Sequence, residues 1–208
     1  MTKITDLIET DNKTICAIAT TEGTSALGIV RLSGPLAHHI VNKIFKPTSN
    51  ECLLPRRVYF GKVFDKERLI DDVIVHISIA PFSFTGEDCA EISCHGSSYV
   101  LHEVMSLAME NGATPALPGE FTQRAFLNGK IDLAQAEAIA DLIASENEAA
   151  HRVAIQQMRG GFSLEISKLR SALIDFTSLI ELELDFGEED VQFADRNQLQ
   201  NILAQPHQ

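Results

Sequence analysis

Three charged side chains stand in otherwise apolar or turn-forming sequence and are the first candidates for chemistry. Arg31 interrupts the run Gly28-Ile-Val-Arg-Leu-Ser-Gly34, and Glu91 sits between Ala90 and Ile92 just before His95-Gly-Ser-Ser98. Lys130 follows the pair Asn128-Gly129. An arginine inside an apolar strand either snorkels to solvent or sets its planar fork on a carboxylate or phosphate. A carboxylate at a strand end beside a glycine turn suits two hydrogen bonds from a planar guanidine-like group. An exposed strand-face glutamate has the same sequence signature. Lys130, taken alone, reads as a solvated lysine near a helix end.

Other chemistries find less support. Cys89, Cys94 and His95 are close in sequence, but strand alternation puts Cys89, Glu91, Ser93 and His95 on one face and Cys94 on the other. Zinc sites also want paired short spacings such as CxxC, so buried thiols are the better reading. There is no GxSxG elbow, and His38 and His39, adjacent on a helical stretch, point different ways. Gly129-Lys130 is followed by Ile131 and lacks an upstream glycine, so no P-loop is present.

The elements that must position these residues divide the chain in two. Up to Gly119, short Val- and Ile-rich runs bounded by Gly, Pro and Asp predict strands at 15–19, 28–32, 57–63, 72–79 and 90–95. Helical spacing over 36–45 and 98–111 places helices between them, which predicts an α/β or α+β sandwich. Beyond Gly119 the strand signals stop. A short helix over 121–127 closes at Asn128-Gly129, and Asp132 with Gln135 forms a capping-box pattern. The helix that follows is predicted to bury Leu133, Ala136, Ala140 and Ile143. A longer one carries Phe162, Ile166, Leu169, Leu173, Phe176 and Ile180 as an apolar stripe, interrupted by Gly160-Gly161. The expected organisation is an α/β domain over 1–128 and an all-α helical-bundle segment over 129–208.

Composition bounds the function. Of 208 residues, 45% are hydrophobic and 22% charged, which is globular. A chain of this length buries roughly 70% of its unfolded surface without disulfide or metal staples. Its net charge of -12 argues against a self-sufficient nucleic-acid binder, though not against RNA held by another chain. The opening residues lack a signal-peptide core, no run is long enough to span a membrane, and four cysteines without an export signal suit a reducing compartment. A cytoplasmic protein with no membrane partner is expected. Residues 181–190 hold six acidic and no basic residues, and the chain closes in Gln- and Asn-rich sequence.

Read together, four ordered motifs resemble the MnmE (TrmE) family of tRNA modification GTPases. The first is 28–35 (GIVRLSGP), the second FTGED at 84–88 with EISCHG at 91–96, and the third PGEFTQRAFLNGK at 118–130 running on to Ile143. The fourth is the acidic LDFGEED at 184–190. The resemblance implies an N-terminal α/β domain that binds a tetrahydrofolate derivative (5-formyl- or 5,10-methylene-tetrahydrofolate) and forms a homodimer. A helical domain follows, interrupted in family members by a GTPase domain. It further implies folate-dependent modification at C5 of the tRNA wobble uridine, with an MnmG-type FAD protein as partner. GTP, K+ and Mg2+ belong only to the full-length family protein; this chain, lacking the P-loop, is not expected to hydrolyse GTP alone.

Arg31, Glu91 and Lys130 match the family's folate-contacting positions. A pterin ring offers adjacent N–H donors to Glu91, and the folate tail needs cations such as Arg31 or Lys130. Glu120 and Arg124 recur in the junction motif, where pairing with each other competes with ligand contact as their role. The sequence departs from the family at His95-Gly96-Ser97, where two glycines are usual, and in a loop over 21–28 poorer in proline and glycine. Two further readings stand beside the first: a dimerisation or partner-docking module without folate, and a stand-alone folate-dependent one-carbon transferase.

Overall fold

The computed structural model describes residues 13–21, 23–49 and 52–185, which fall into two compact units divided between Ile131 and Asp132. In the first unit the strands are β1 (Ile15–Ile18), β2 (Leu27–Ser33), β3 (Phe45–Pro47), β4 (Arg57–Asp65), β5 (Arg68–Ser78), β6 (Cys89–His95) and β7 (Thr114–Pro115). Among the described residues they form one sheet in the order β3-β4-β5-β6-β2-β1-β7. Pairing is antiparallel throughout except between β1 and β7.

Period-two patterning sorts the sheet's faces. Val30 and Leu32 of β2, Val73, Val75 and Ile77 of β5, and Ala90, Ile92 and Cys94 of β6 are all buried in one core. Two helices, α1 (Ala37–Ile44) and α2 (Ser98–Glu110), complete that core. α1 contributes Ala37, Ile40, Val41 and Ile44, and α2 contributes Leu101, Val104, Leu107 and Ala108, one helical face each. Gly28 permits the contact: a Cβ there would lie 2.6 Å from a Leu101 methyl carbon. A third helix, α3 (Glu120–Leu127), follows β7.

The other face is only partly covered. Cross-strand register sets Ala17, Arg31, Glu91, His76 and Val58 in one row across five strands. The next row holds Ile29, Ser93, Ile74 and Phe60. Toward the β4 side this face is open to solvent, with Phe60 57% and Val58 64% exposed.

The second unit contains α4 (Leu133–Ala144), α5 (Glu148–Met158) and α6 (Gly161–Asp185). The capping box predicted at Asp132 and Gln135 is present, with the Gln135 amide donating to Asp132 Oδ1 at 2.8 Å and the Asp132 amide to Gln135 Oε1 at 2.9 Å. Asn147 caps α5 with its side-chain oxygen, which accepts from the Ala150 amide at 2.9 Å. Gly160, at φ +78°, stops α5, so the glycine pair separates two helices.

The predicted core face of α4 is a correction. Leu133 and Ile143 are 60% and 82% exposed, Ala140 is exposed and Ala136 only half-buried. The buried residues where α4 and α5 pack are Ala138 and Ala154. Small side chains let two helix backbones approach closely, and that approach turns the flanking leucine and isoleucine outward. On α6, Phe176 is buried, whereas Ile166, Leu173 and Ile180 of the same stripe are exposed. The acidic run continues past α6 at 186–190 and, with the closing Gln- and Asn-rich sequence, lies outside the described residues.

Candidate functional site

The sheet brings Arg31 and Glu91 together. They are directly opposite in the β2–β6 register, and Arg31 Nε and Nη2 both donate to Glu91 Oε1, at 2.8 and 2.7 Å. Of the alternatives for each residue in sequence, ion pairing is the one realised. Both bonds converge on Oε1, which leaves Oε2 available to another donor. The pair is about one-third exposed, so its net worth to stability is small. Access is what the geometry supplies.

Two aromatic rings frame the pair. The Arg31 guanidinium carbon lies 5.7 Å from the Phe84 ring centre and 5.6 Å from that of Phe121, within cation–π range. Phe84 belongs to the connection between β5 and β6, and Phe121 to α3. Beneath this connection is a cavity of about 230 Å³ lined by Arg31, His76, Phe82, Phe84, Thr85 and Glu91 among others. His76 is the β5 residue facing Glu91 in register. That volume falls below the roughly 300–1,000 Å³ of a drug-sized ligand site, so it suits a flat ring system whose substituents run outward.

Lys130 lies elsewhere. Its Nζ donates to the carbonyl of Pro81 at 2.9 Å, at an exposed position on the connection whose next residues line the cavity. The structure therefore joins Arg31 and Glu91 in one site and sets the Lys130 ammonium against the segment that walls it.

The buried ion cluster beside the cavity escapes sequence reading except for its Glu120–Arg124 spacing of four residues. Arg124, 5% exposed, donates from Nη2 to Glu120 Oε1 at 2.9 Å and from Nη1 to both oxygens of Glu87 at 3.2 Å and to the Lys13 carbonyl at 2.8 Å. Ser33 Oγ donates to Glu87 Oε2 at 2.6 Å and shares a 2.7 Å hydrogen bond with Thr85 Oγ1. Thus Arg124 and Glu120 pair structurally, as one of their two sequence readings required, and Glu87 is the missing third member.

Cys16, Cys89 and Cys94 are buried thiols, and Cys52 is exposed. Cys89 hydrogen-bonds with Thr85 and Ser33, and burial pushes Cys94 up to about 12 and Cys16 up to about 11. Among the described residues no group of three His, Cys, Asp or Glu side chains is placed to hold a metal. His38 is spent on the Ser78 carbonyl at 2.8 Å, and His95 pairs through Nδ1 with Asp71 at 2.7 Å. No helix of the described residues is long and apolar enough to cross a membrane.

Comparison with known proteins gives two consecutive family matches. Residues 14–130 match the family described as GTP-binding protein TrmE N-terminus, and residues 133–208 match the MnmE helical domain. Among curated relatives, the tRNA modification GTPase MnmE of Bacteroides thetaiotaomicron is 56% identical over 199 residues, covering 94% of this chain and 43% of the relative. That of Cytophaga hutchinsonii is 52% identical over 200 residues, 96% of this chain and 43% of the relative. That of Flavobacterium johnsoniae is 52% identical over 192 residues, 91% and 41% respectively. The chain spans about two-fifths of the length of the curated relatives it matches.

Proposed function

Because the chain belongs to the MnmE family of tRNA modification GTPases, we propose that its sheet unit binds a tetrahydrofolate derivative and forms a homodimer. The observation that supports the folate reading most is the Arg31–Glu91 pair, one-third exposed between Phe84 and Phe121 at a cavity sized for one ring system. A pterin presents adjacent N–H donors on one edge and two flat faces. Glu91, with Oε2 free and Oε1 already polarised by Arg31, accepts from that edge, while the Phe82 and Phe84 rings of the lining take a face. The rest of folate is too large for the cavity and runs outward. Lys130, whose Nζ meets the wall segment at the Pro81 carbonyl, is the cation suited to its tail carboxylates.

The dimer reading draws on the uncovered sheet face. Val58, Phe60 and Ile74 are exposed on it side by side, and a second copy of the same face would bury them symmetrically. In the whole protein this unit would serve folate-dependent modification at C5 of the tRNA wobble uridine, alongside an MnmG-type FAD partner and a GTPase domain using GTP, K+ and Mg2+. Equilibrium dialysis of the purified chain against 5-formyltetrahydrofolate tests the binding claim. Saturation at one ligand per protomer is expected, and no retention at millimolar ligand contradicts it. Sedimentation equilibrium tests the dimer; a monomer throughout the micromolar range would overturn it.

A further inference from the structure

We propose that Arg124 is a positioning residue for the cavity: together with Glu87 it locks the wall segment, residues 81–87, over the Arg31–Glu91 pair. The identity of the ligand rests on the folate reading above; the lock itself does not. Neither Arg124 nor Glu87 lines the cavity, so any effect they have on it is transmitted through the segment they hold.

The segment connects β5 to β6 and has no strand partner of its own. Its course depends on side chains from α3 and the turn that follows. Lys130 Nζ holds the Pro81 carbonyl at 2.9 Å, Asn128 Nδ2 holds the Thr85 carbonyl at 2.7 Å, and Arg124 grips the Glu87 carboxylate. Between the first two ties lie Phe82, Ser83 and Phe84, all on the cavity lining. Gly86, at φ +80°, brings the backbone so close that a Cβ would sit 3.1 Å from Lys130 Cγ. One helical turn before Arg124, the Phe121 ring lies 5.6 Å from the Arg31 guanidinium carbon. The same short helix thus sets a ring against Arg31 and fastens the wall segment.

Of the three tying side chains only Arg124 is buried, and it is the one that carries its charge out of water. A guanidinium removed from water is tolerated when its donors are met, and here Glu87, Glu120 and the Lys13 carbonyl meet them from three directions. A lysine ammonium is a single point and cannot span those acceptors. Arg124→Lys therefore keeps the charge and loses the fork.

Amide hydrogen exchange on the purified chain reads the lock directly, and titration with 5-formyltetrahydrofolate reads its consequence. In Arg124→Lys, exchange within 81–88 should accelerate about tenfold while β5 and β6 amides stay protected, and ligand affinity should fall about tenfold, the scale of one lost charged hydrogen bond. Asn128→Ala, which leaves the buried charges intact, should change both in the same direction by less. Equal acceleration across the whole sheet would reduce Arg124 to a general stabiliser and overturn the proposal. So would unchanged exchange in 81–88, or a loosened segment with undiminished affinity. Should Arg124→Lys fail to fold, Glu87→Gln, which removes the charge but keeps an oxygen opposite the guanidinium, decides by the same criteria. Absence of binding by the unsubstituted chain would remove the folate reading and leave the localisation of exchange to decide the lock.

Discussion

The sheet unit and the helical unit contain similar stretches of apolar sequence but dispose of them differently. In the first, strand and helix side chains converge on one continuous core, and the largest buried charge, Arg124, has every neighbouring carboxylate accounted for. In the second, the buried apolar residues among those described are Ala138, Ala154 and Phe176, while Leu133, Ile143, Val153, Leu164 and Ile174 are exposed. The difference teaches where each unit's stability comes from. The sheet unit closes its own core. The helical unit holds its form through local devices: caps, a helix stop at Gly160, and close alanine packing.

This contrast can be broken by substitution. The largest effect is expected inside the ion cluster, because Arg124→Ala leaves Glu87 and Glu120 facing each other without compensation. Loss of one partner from such a buried group costs about 3–5 kcal/mol, measurable by urea denaturation followed by circular dichroism. Ile92→Ala, at a fully buried position in β6, should cost about 2–5 kcal/mol by cavity formation. Ile143→Ala on the exposed face of α4 should stay within about 0.5 kcal/mol. Equal costs at the two isoleucines would show that the helical face is covered in solution and would erase the contrast.

Local devices should fail at a smaller scale. Asp132→Ala removes the capping box and should cost about 1 kcal/mol. The Asp132 carboxyl is held below the usual carboxylate range by the Ser163 hydroxyl and then by the Gln135 and Ala134 amides. A group lowered on folding stabilises above its unfolded value of about 3.9 and ceases to do so as pH falls through the lowered folded value. The acid limb of a pH–stability curve should therefore flatten in Asp132→Asn. The smallest perturbation is chemical labelling. At neutral pH iodoacetamide should modify exposed Cys52 well before Cys16, Cys89 and Cys94, which are buried. Prompt reaction at Cys94 would mean that the sheet unit opens more easily than its core implies.

The sequence makes the strands and helices of the first unit legible because period-two and helical patterns are local. It shows β5 starting later than it does and leaves β3 and β7 unseen, since strands of two or three residues carry too little pattern. The Arg31–Glu91 contact was beyond reach for another reason. It depends on the β2–β6 register, which joins residues 60 apart, and each residue has a solvent-exposed reading in the sequence. Glu120 and Arg124 advertise their pairing by helical spacing, yet Glu87 meets them only through the tertiary course of the wall segment. The α4 face misled because leucine and isoleucine spacing predicts burial only when a partner surface of matching width exists, and α5 offers alanine.

The assignment of Glu91 to a pterin edge is the claim on which the folate reading turns. Calorimetric titration of the purified chain and of Glu91→Gln with 5-formyltetrahydrofolate tests it most directly. Saturable binding that the substitution weakens by about 2–4 kcal/mol, the scale of a broken desolvated charged pair, is the expected result. Equal affinity in both proteins would contradict it and place the ligand, if bound, away from the Arg31–Glu91 row.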